Sequence, residues 1–309
     1  MDKTISVIIP FYDEPDFIQQ AVDSCLSQTY EPDEIIVVDD GSDHNIYDLL
    51  SEHKGTNGVK IISHERNKGA AGARNTGIKH STGEFIAFLD ADDTWLPIKL
   101  ESQLETFEAK PEIGMVYTDF YKKHPNGDRI SIKAMSNPAK NFAKRLFVKG
   151  GGILPSSAMV RRNCLDQVGY FNESLEVAHD RNLWIRIGAR WPVTKISKPL
   201  VEKRVRPNSL ASTYSKKFDN EMESTNHLIN ELPQLKKYER KRNSFLFCNK
   251  ASFLLQTGRP REARYNALKS IKLYPFNAKS YLITVVAFSG IFSDDIWEKL
   301  KFAKRYFSS

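Results

Sequence analysis

Short apolar runs rich in β-branched residues alternate with segments of helical spacing over the first 120 residues of the chain. Residues 5–10, ISVIIP, are the first such run, and Phe17, Ile18, Ala21, Val22, Cys25 and Leu26 then recur at helical intervals across residues 15–28. Residues 34–38 predict a second strand, closed by Asp39-Asp40-Gly41-Ser42. Residues 59–63 predict a third, followed by a Gly/Ala-rich helix over residues 70–80. A fourth strand over residues 84–89 ends at Asp90-Ala91-Asp92-Asp93. A helix over residues 97–110 carries Pro97 in its first turn, and residues 114–118 predict a fifth strand. Runs that do not alternate apolar with polar are buried on both faces, which predicts a mostly parallel sheet flanked by helices. Ligands of such sheets bind at the carboxyl ends of the strands, and both acidic clusters fall there.

Past residue 120 the pattern is less regular. The glycines at 150–152 and Pro155-Ser156-Ser157 read as loops, residues 180–190 as a helix, and residues 217–309 as mostly helical. Residues 249–282 resemble one tetratricopeptide-like helix pair turning at Gly258-Arg259-Pro260. One such unit cannot bury its own face and needs a neighbour. The expected division is a catalytic domain over residues 1–215 and a basic helical region over residues 216–309. Residues 281–292, YLITVVAFSGIF, are apolar but too short to span a bilayer. They read as a buried helix or, with the basic stretch at 299–305, as an interfacial one.

Composition changes this picture only through charge. The net charge is +7, yet residues 236–309 hold sixteen Lys or Arg against five Asp or Glu, so the first 235 residues are slightly acidic. A basic tail of this kind suits an anionic membrane surface. It lacks the interleaved aromatic motifs of single-strand binding, so no nucleic-acid partner is expected. Cys25, Cys164 and Cys248 are odd in number and widely spaced, which predicts reduced thiols. The N-terminus has an acidic second residue and a short apolar run, unlike a signal peptide. The expected location is cytoplasmic, peripheral at the inner face of the membrane.

Three carboxylates within four residues, Asp90, Asp92 and Asp93, are costly after an apolar strand unless a cation or donors compensate them. Mg²⁺ and Mn²⁺ take oxygen ligands and bridge carboxylates to substrate phosphates; a solvated acidic turn capping the next helix is the plainer alternative. Asp39 and Asp40 read either as a turn or as acceptors for the imide N–H of a nucleobase. The small residues of NKGAAGARNTG, residues 67–77, let a ligand approach the backbone, and Lys68 or Arg74 can offset phosphate charge. The segment is neither a Walker A loop nor a dinucleotide fingerprint. Asp180 is a candidate general base or a simple N-cap. Trp95, Trp184 and Trp191 read as core residues ahead of sugar-stacking platforms.

In this order the segments ISVIIP, VVDDGS, NKGAAGARNTG, LDADD and GYFNE…HDRNLWIR strongly resemble the family-2 glycosyltransferases of GT-A fold, over about two thirds of the chain. The resemblance implies an inverting transfer of sugar from a UDP- or dTDP-sugar to a hydroxyl of a glycan or lipid-linked acceptor, with Mg²⁺ or Mn²⁺ as cofactor. It implies Pro10 and Tyr12 beside the nucleoside, Asp40 with Asp39 on the base, and Lys68, Arg74 and Asp90 near the nucleotide. Asp92 lies near the ribose or metal, with Asp92 and Asp93 as metal ligands and Asp180 as base. Arg204 and Arg206 match a basic strand that closes over the diphosphate. His179 and Asn182 depart from the acids common in the family at those places. The rival reading is a non-catalytic, glycosyltransferase-like binding scaffold.

Overall fold

The computed structural model describes residues 3–53, 58–135, 141–205 and 214–289, with the side chains of 214–217 and 289 left aside. They divide into two compact units, one of Met1–Leu146 with Gly150–Ser209 and one of Phe147–Lys149 with Leu210–Ser309. Among the described residues no helix is long and apolar enough to cross a membrane.

The first unit begins with β1 (Ile5–Phe11), α1 (Pro15–Leu26), β2 (Glu34–Asp39), the one-turn α2 (Ile46–Leu49) and β3 (Val59–Ser63). It continues with α3 (Gly69–His80), β4 (Phe85–Phe88), the two-residue β5 (Thr94–Trp95) and α4 (Lys99–Ala109). Then come β6 (Met115–Lys123), β7 (Arg129–Ile132), α5 (Phe142–Lys149, its last three residues counted with the second unit), β8 (Ala158–Arg161), α6 (Arg162–Val168), α7 (His179–Gly188) and β9 (Val193–Arg204). Strands β2 and β4 are buried throughout and β1 nearly so, whereas β3 at the sheet edge is half exposed. Helix α3 packs closely because it is made of small residues: a Cβ on Gly77 would stand 2.4 Å from the Ile8 side chain.

The strand order is β3-β2-β1-β4-β8-β6-β9-β5, with β7 beside β6. The sheet is therefore mixed, where the sequence predicts a mostly parallel one. Strands β3, β2, β1 and β4 run parallel, but β8 is antiparallel to both β4 and β6. The pattern missed β8 because its four residues, entered from a 3-10 turn at Pro155–Ser157, are too few to show a period. Two antiparallel pairings in succession restore direction, so β6 runs with β4, and β9 is parallel to β6. The carboxyl end of the twelve-residue β9 accordingly lies at the same edge of the sheet as the ends of β1, β2 and β4.

The second unit holds α8 (Tyr214–Glu231), α9 (Glu239–Gln256), α10 (Pro260–Leu273) and α11 (Ala278–Ser289). Gly258, at φ +72°, turns α9 into α10, and Pro260 starts α10. Cys248, Leu254, Ala263, Ala267, Ile283 and Val286 build one apolar core across α9, α10 and α11, which supplies the neighbour that a lone helix pair needs. All three cysteines are buried and free.

Candidate active site

A cleft of about 510 Å³ opens at the carboxyl edge of the sheet. From β1 it takes Pro10, Phe11 and Tyr12; from the end of β2, Asp40; from the start of α3, Asn67, Gly69, Ala70, Ala73 and Arg74. Asp90, Ala91 and Asp92 follow β4, Glu14 precedes α1, and Lys203 with Arg204 end β9. Six of the nine residues expected around the nucleotide thus line one cleft: Pro10, Tyr12, Asp40, Arg74, Asp90 and Asp92. Asp39 and Lys68 do not line it, and Arg206 lies outside the described residues.

Asp39 closes the turn after β2, its Oδ1 accepting from the Ser42 amide at 3.0 Å. Gly41, at φ +74°, must be glycine, because a Cβ would meet the Arg66 backbone at 2.8 Å. Asp13, after β1, ties the two loops together by accepting from Ser42 Oγ at 2.7 Å and the Asp43 amide at 3.0 Å. The Ser42 bond leads the causes that hold its carboxyl below the usual range. Asp40 is 2% exposed, and its Oδ1 accepts from the Lys68 amide at 2.9 Å and from His64 Nδ1 at 2.7 Å. His64 is held in turn by Thr76 Oγ1, 2.8 Å from Nε2. Lys68 thus contributes its backbone to the site while its side chain is exposed. His64 carries no sequence signal, since a lone histidine after a strand matches no motif.

Arg74, 4% exposed, pairs with Asp90 and donates from Nη1 to His179 Nε2 at 2.9 Å. Burial alone would raise the Asp90 pKa, but the charges of Arg74 and Lys203 overcome it and keep the carboxylate ionised. Burial, then the Arg74 charge, lowers the His179 pKa, so the imidazole is neutral, with Nδ1 donating to the Leu175 carbonyl at 3.2 Å.

Asp93 differs from its neighbours. It is fully buried and accepts from Ser156 Oγ at 2.6 Å, while its Oδ1 has no partner among the described residues. Burial first, and then Asp90 and Asp92, push its pKa up to about 7 against the pull of Lys203 and Ser156. Ser156 also accepts from the Asp90 amide at 3.1 Å, so this serine shapes the acidic loop from beneath. Trp95 and Trp184 are core residues.

The all-oxygen donor set of the Asp90–Asp93 loop, with an orphaned carboxylate oxygen on Asp93, fits Mg²⁺ or Mn²⁺. Among the described residues no cluster of three His, Cys, Asp or Glu could hold a metal, so oxygens of a bound diphosphate would have to complete its shell.

Asp180 is the second residue of α7. The N-cap place belongs to Ala178, in a left-handed conformation at φ +66° that L-residues adopt at a cost. Among the described residues the Asp180 carboxylate accepts no hydrogen bond and makes no ion pair, so it is not a cap. It lies outside the cleft lining but next to His179, which touches Arg74. The segment between α6 and α7 is tied to α3 through Asn75, which exchanges two 2.9 Å bonds with the Phe171 backbone. Asn182 accepts from Arg186 Nε at 3.0 Å, and Arg186 Nη1 donates to the carbonyls of Val168 and Gly169. Both departures from the common acids therefore have structural partners.

The family model of glycosyl transferase family 2 matches residues 6–169. An uncharacterized glycosyltransferase of Rickettsia bellii is 34% identical over 210 residues, covering 66% of this chain and 29% of that protein. The chain thus spans less than a third of its length. The Escherichia coli UDP-Glc:alpha-D-GlcNAc-diphosphoundecaprenol beta-1,3-glucosyltransferase WfgD is 40% identical over 119 residues, 38% of this chain and 46% of that one. Among solved structures, Staphylococcus aureus TarS 1–349 in complex with UDP-GlcNAc superposes with a TM-score of 0.60 at 17% identity, over 94% of this chain and 93% of that one. The mannosyltransferase PcManGT from Pyrobaculum calidifontis, in complex with GDP-Man and Mn²⁺, does so with 0.64 at 16% identity, over 97% and 84%. The fold is of GT-A type, and the chain belongs to glycosyl transferase family 2.

Proposed function

We propose that the chain transfers a sugar from a nucleotide-sugar to an acceptor hydroxyl with inversion at the anomeric carbon, in the assembly of a lipid-linked glycan or surface polysaccharide. The observation that carries this reading is the convergence of Asp40, Arg74, Asp90 and Asp92 on one cleft at the ends of parallel strands. Asp40, held by His64 and the Lys68 amide, presents an acceptor to the imide of uracil or thymine. Arg74 and Lys203 offset the diphosphate charge. Asp92, with Asp93 beneath it, would hold a divalent cation beside the diphosphate, and that cation supplies Lewis-acid stabilisation of the leaving group. Asp180 takes the acceptor's proton as the new C–O bond forms and the bond to the diphosphate breaks. The acceptor class is supported by the names of relatives such as WfgD.

The test is release of nucleoside diphosphate from UDP-, dTDP- and GDP-sugars with Mn²⁺. One donor is expected to turn over, and Asp180→Asn to lower the rate about 10²- to 10⁴-fold with nucleotide affinity unchanged. No turnover by the unaltered chain, with nucleotide still bound, would instead support the binding-scaffold reading.

A further inference from the structure

Seven of the eleven large apolar side chains exposed among the described residues fall between positions 265 and 288. Such concentration on a small helical unit marks a surface that meets something apolar. On α10, Arg261, Arg264, Tyr265, Leu268 and Lys272 repeat at helical spacing, so they share one stripe. On α11, Tyr281, Leu282, Val285 and Phe288 form a second stripe, opposite the Ile283, Val286 and Ala287 that already fill the core. The Arg264 guanidinium lies 4.4 Å from the centre of the Phe288 ring and joins the two stripes. Val285 is 63% and Phe288 64% exposed. Residues 260–289 hold five Lys or Arg and one acid, Glu262, so the apolar face is set in a strongly cationic surround.

We propose that the joined outer faces of α10 and α11 dock on an anionic lipid bilayer. Cations at the level of the headgroups with aromatic and aliphatic side chains between them are the chemistry of an interfacial helix. Charge complementarity selects the anionic lipid. Nucleic acid is a poorer match, because the aromatic Tyr265, Tyr281 and Phe288 are interleaved with the aliphatic Leu268, Leu282 and Val285, which offer bases nothing to stack on. Over its described part, the stretch read as either buried or interfacial has one side in the core and the other open.

The experiment is co-sedimentation of the whole chain with vesicles of phosphatidylcholine alone or mixed with phosphatidylglycerol, at about 0.1 M and 0.5 M salt. The expected result is binding to the mixed vesicles only, weakened by salt. Arg261→Glu or Lys272→Glu should each weaken it by on the order of fivefold, and Val285→Glu or Phe288→Glu by about tenfold or more. The melting temperature should stay unchanged. Failure to bind mixed vesicles overturns the proposal. So does a fall in melting temperature in both Val285→Glu and Val285→Ser, which would mean that the chain itself or a second copy covers this face. An RNA gel shift with no vesicle binding overturns it as well. None of these readings depends on sugar transfer, so the two proposals fail separately.

Discussion

At the scale of single residues, the site is ordered by side chains that do not themselves face the cleft. Among the described residues the His64 side chain has two partners, Asp40 and Thr76, and it holds the Asp40 carboxylate in one orientation. A hydrogen bond to a charged group is worth about 1.5–3 kcal/mol, which corresponds to a factor of ten or more in affinity. His64→Leu is therefore expected to weaken nucleotide binding about tenfold or more, measured by calorimetric titration, while the circular dichroism of the fold is retained. His179 shows why a departure from a family pattern can be tolerated. Its neutral Nε2 accepts from Arg74 without neutralising the guanidinium, whereas a second acid there would compete with Asp90 for that charge. Among the described residues the adjacent Asp180 carboxylate accepts no hydrogen bond, which suits the general-base role proposed for it.

At the scale of elements, two contacts fix how the first strands assemble. Glu34 is a buried acid that accepts from Ser6, Lys60 and Thr82, tying β2 to β1, β3 and the turn before β4. Burial works to raise its pKa, but these donors prevail and hold it at about 2. A carboxyl depressed in the folded state contributes stability that is present above its unfolded value, near 4.5, and lost as pH falls toward 2. Glu34→Gln is expected to lower stability at pH 7 by about 1–3 kcal/mol. The gap from the unaltered chain should close below pH 4.5, as read by urea denaturation at a series of pH values. Gly77 sets the seating of α3 on β1. Gly77→Ala places a methyl against Ile8, where the Ile8 side chain or the helix must shift to relieve it, and a loss of about 1–3 kcal/mol is expected by the same measurement. Since α3 carries Arg74, nucleotide affinity should fall with it.

At the scale of the whole molecule, a ligand bound by the folded state alone must raise stability, by about 2.7 kcal/mol at a hundredfold excess over its dissociation constant. A matching nucleotide with Mn²⁺ is expected to raise the melting temperature by several degrees, and Asp40→Ala to abolish the rise; calorimetry or dye-based melting reads both. The alternating strands and helices of the first 120 residues, the acidic clusters placed after strands, and the family can all be read from the order of residues alone. These follow from periodicity and turn chemistry, which act over a few residues and so are written locally. The rest emerges from long-range packing. The direction of β9 depends on two antiparallel pairings through the short β8, and no local pattern could announce that Lys203 would reach the cleft. Asp92 and Asp93 are adjacent and chemically identical, yet packing leaves one on the cleft wall and buries the other against Ser156. Strand order, burial and the partner of each carboxylate arise from contacts between residues far apart in the chain, and those exist only once it has folded.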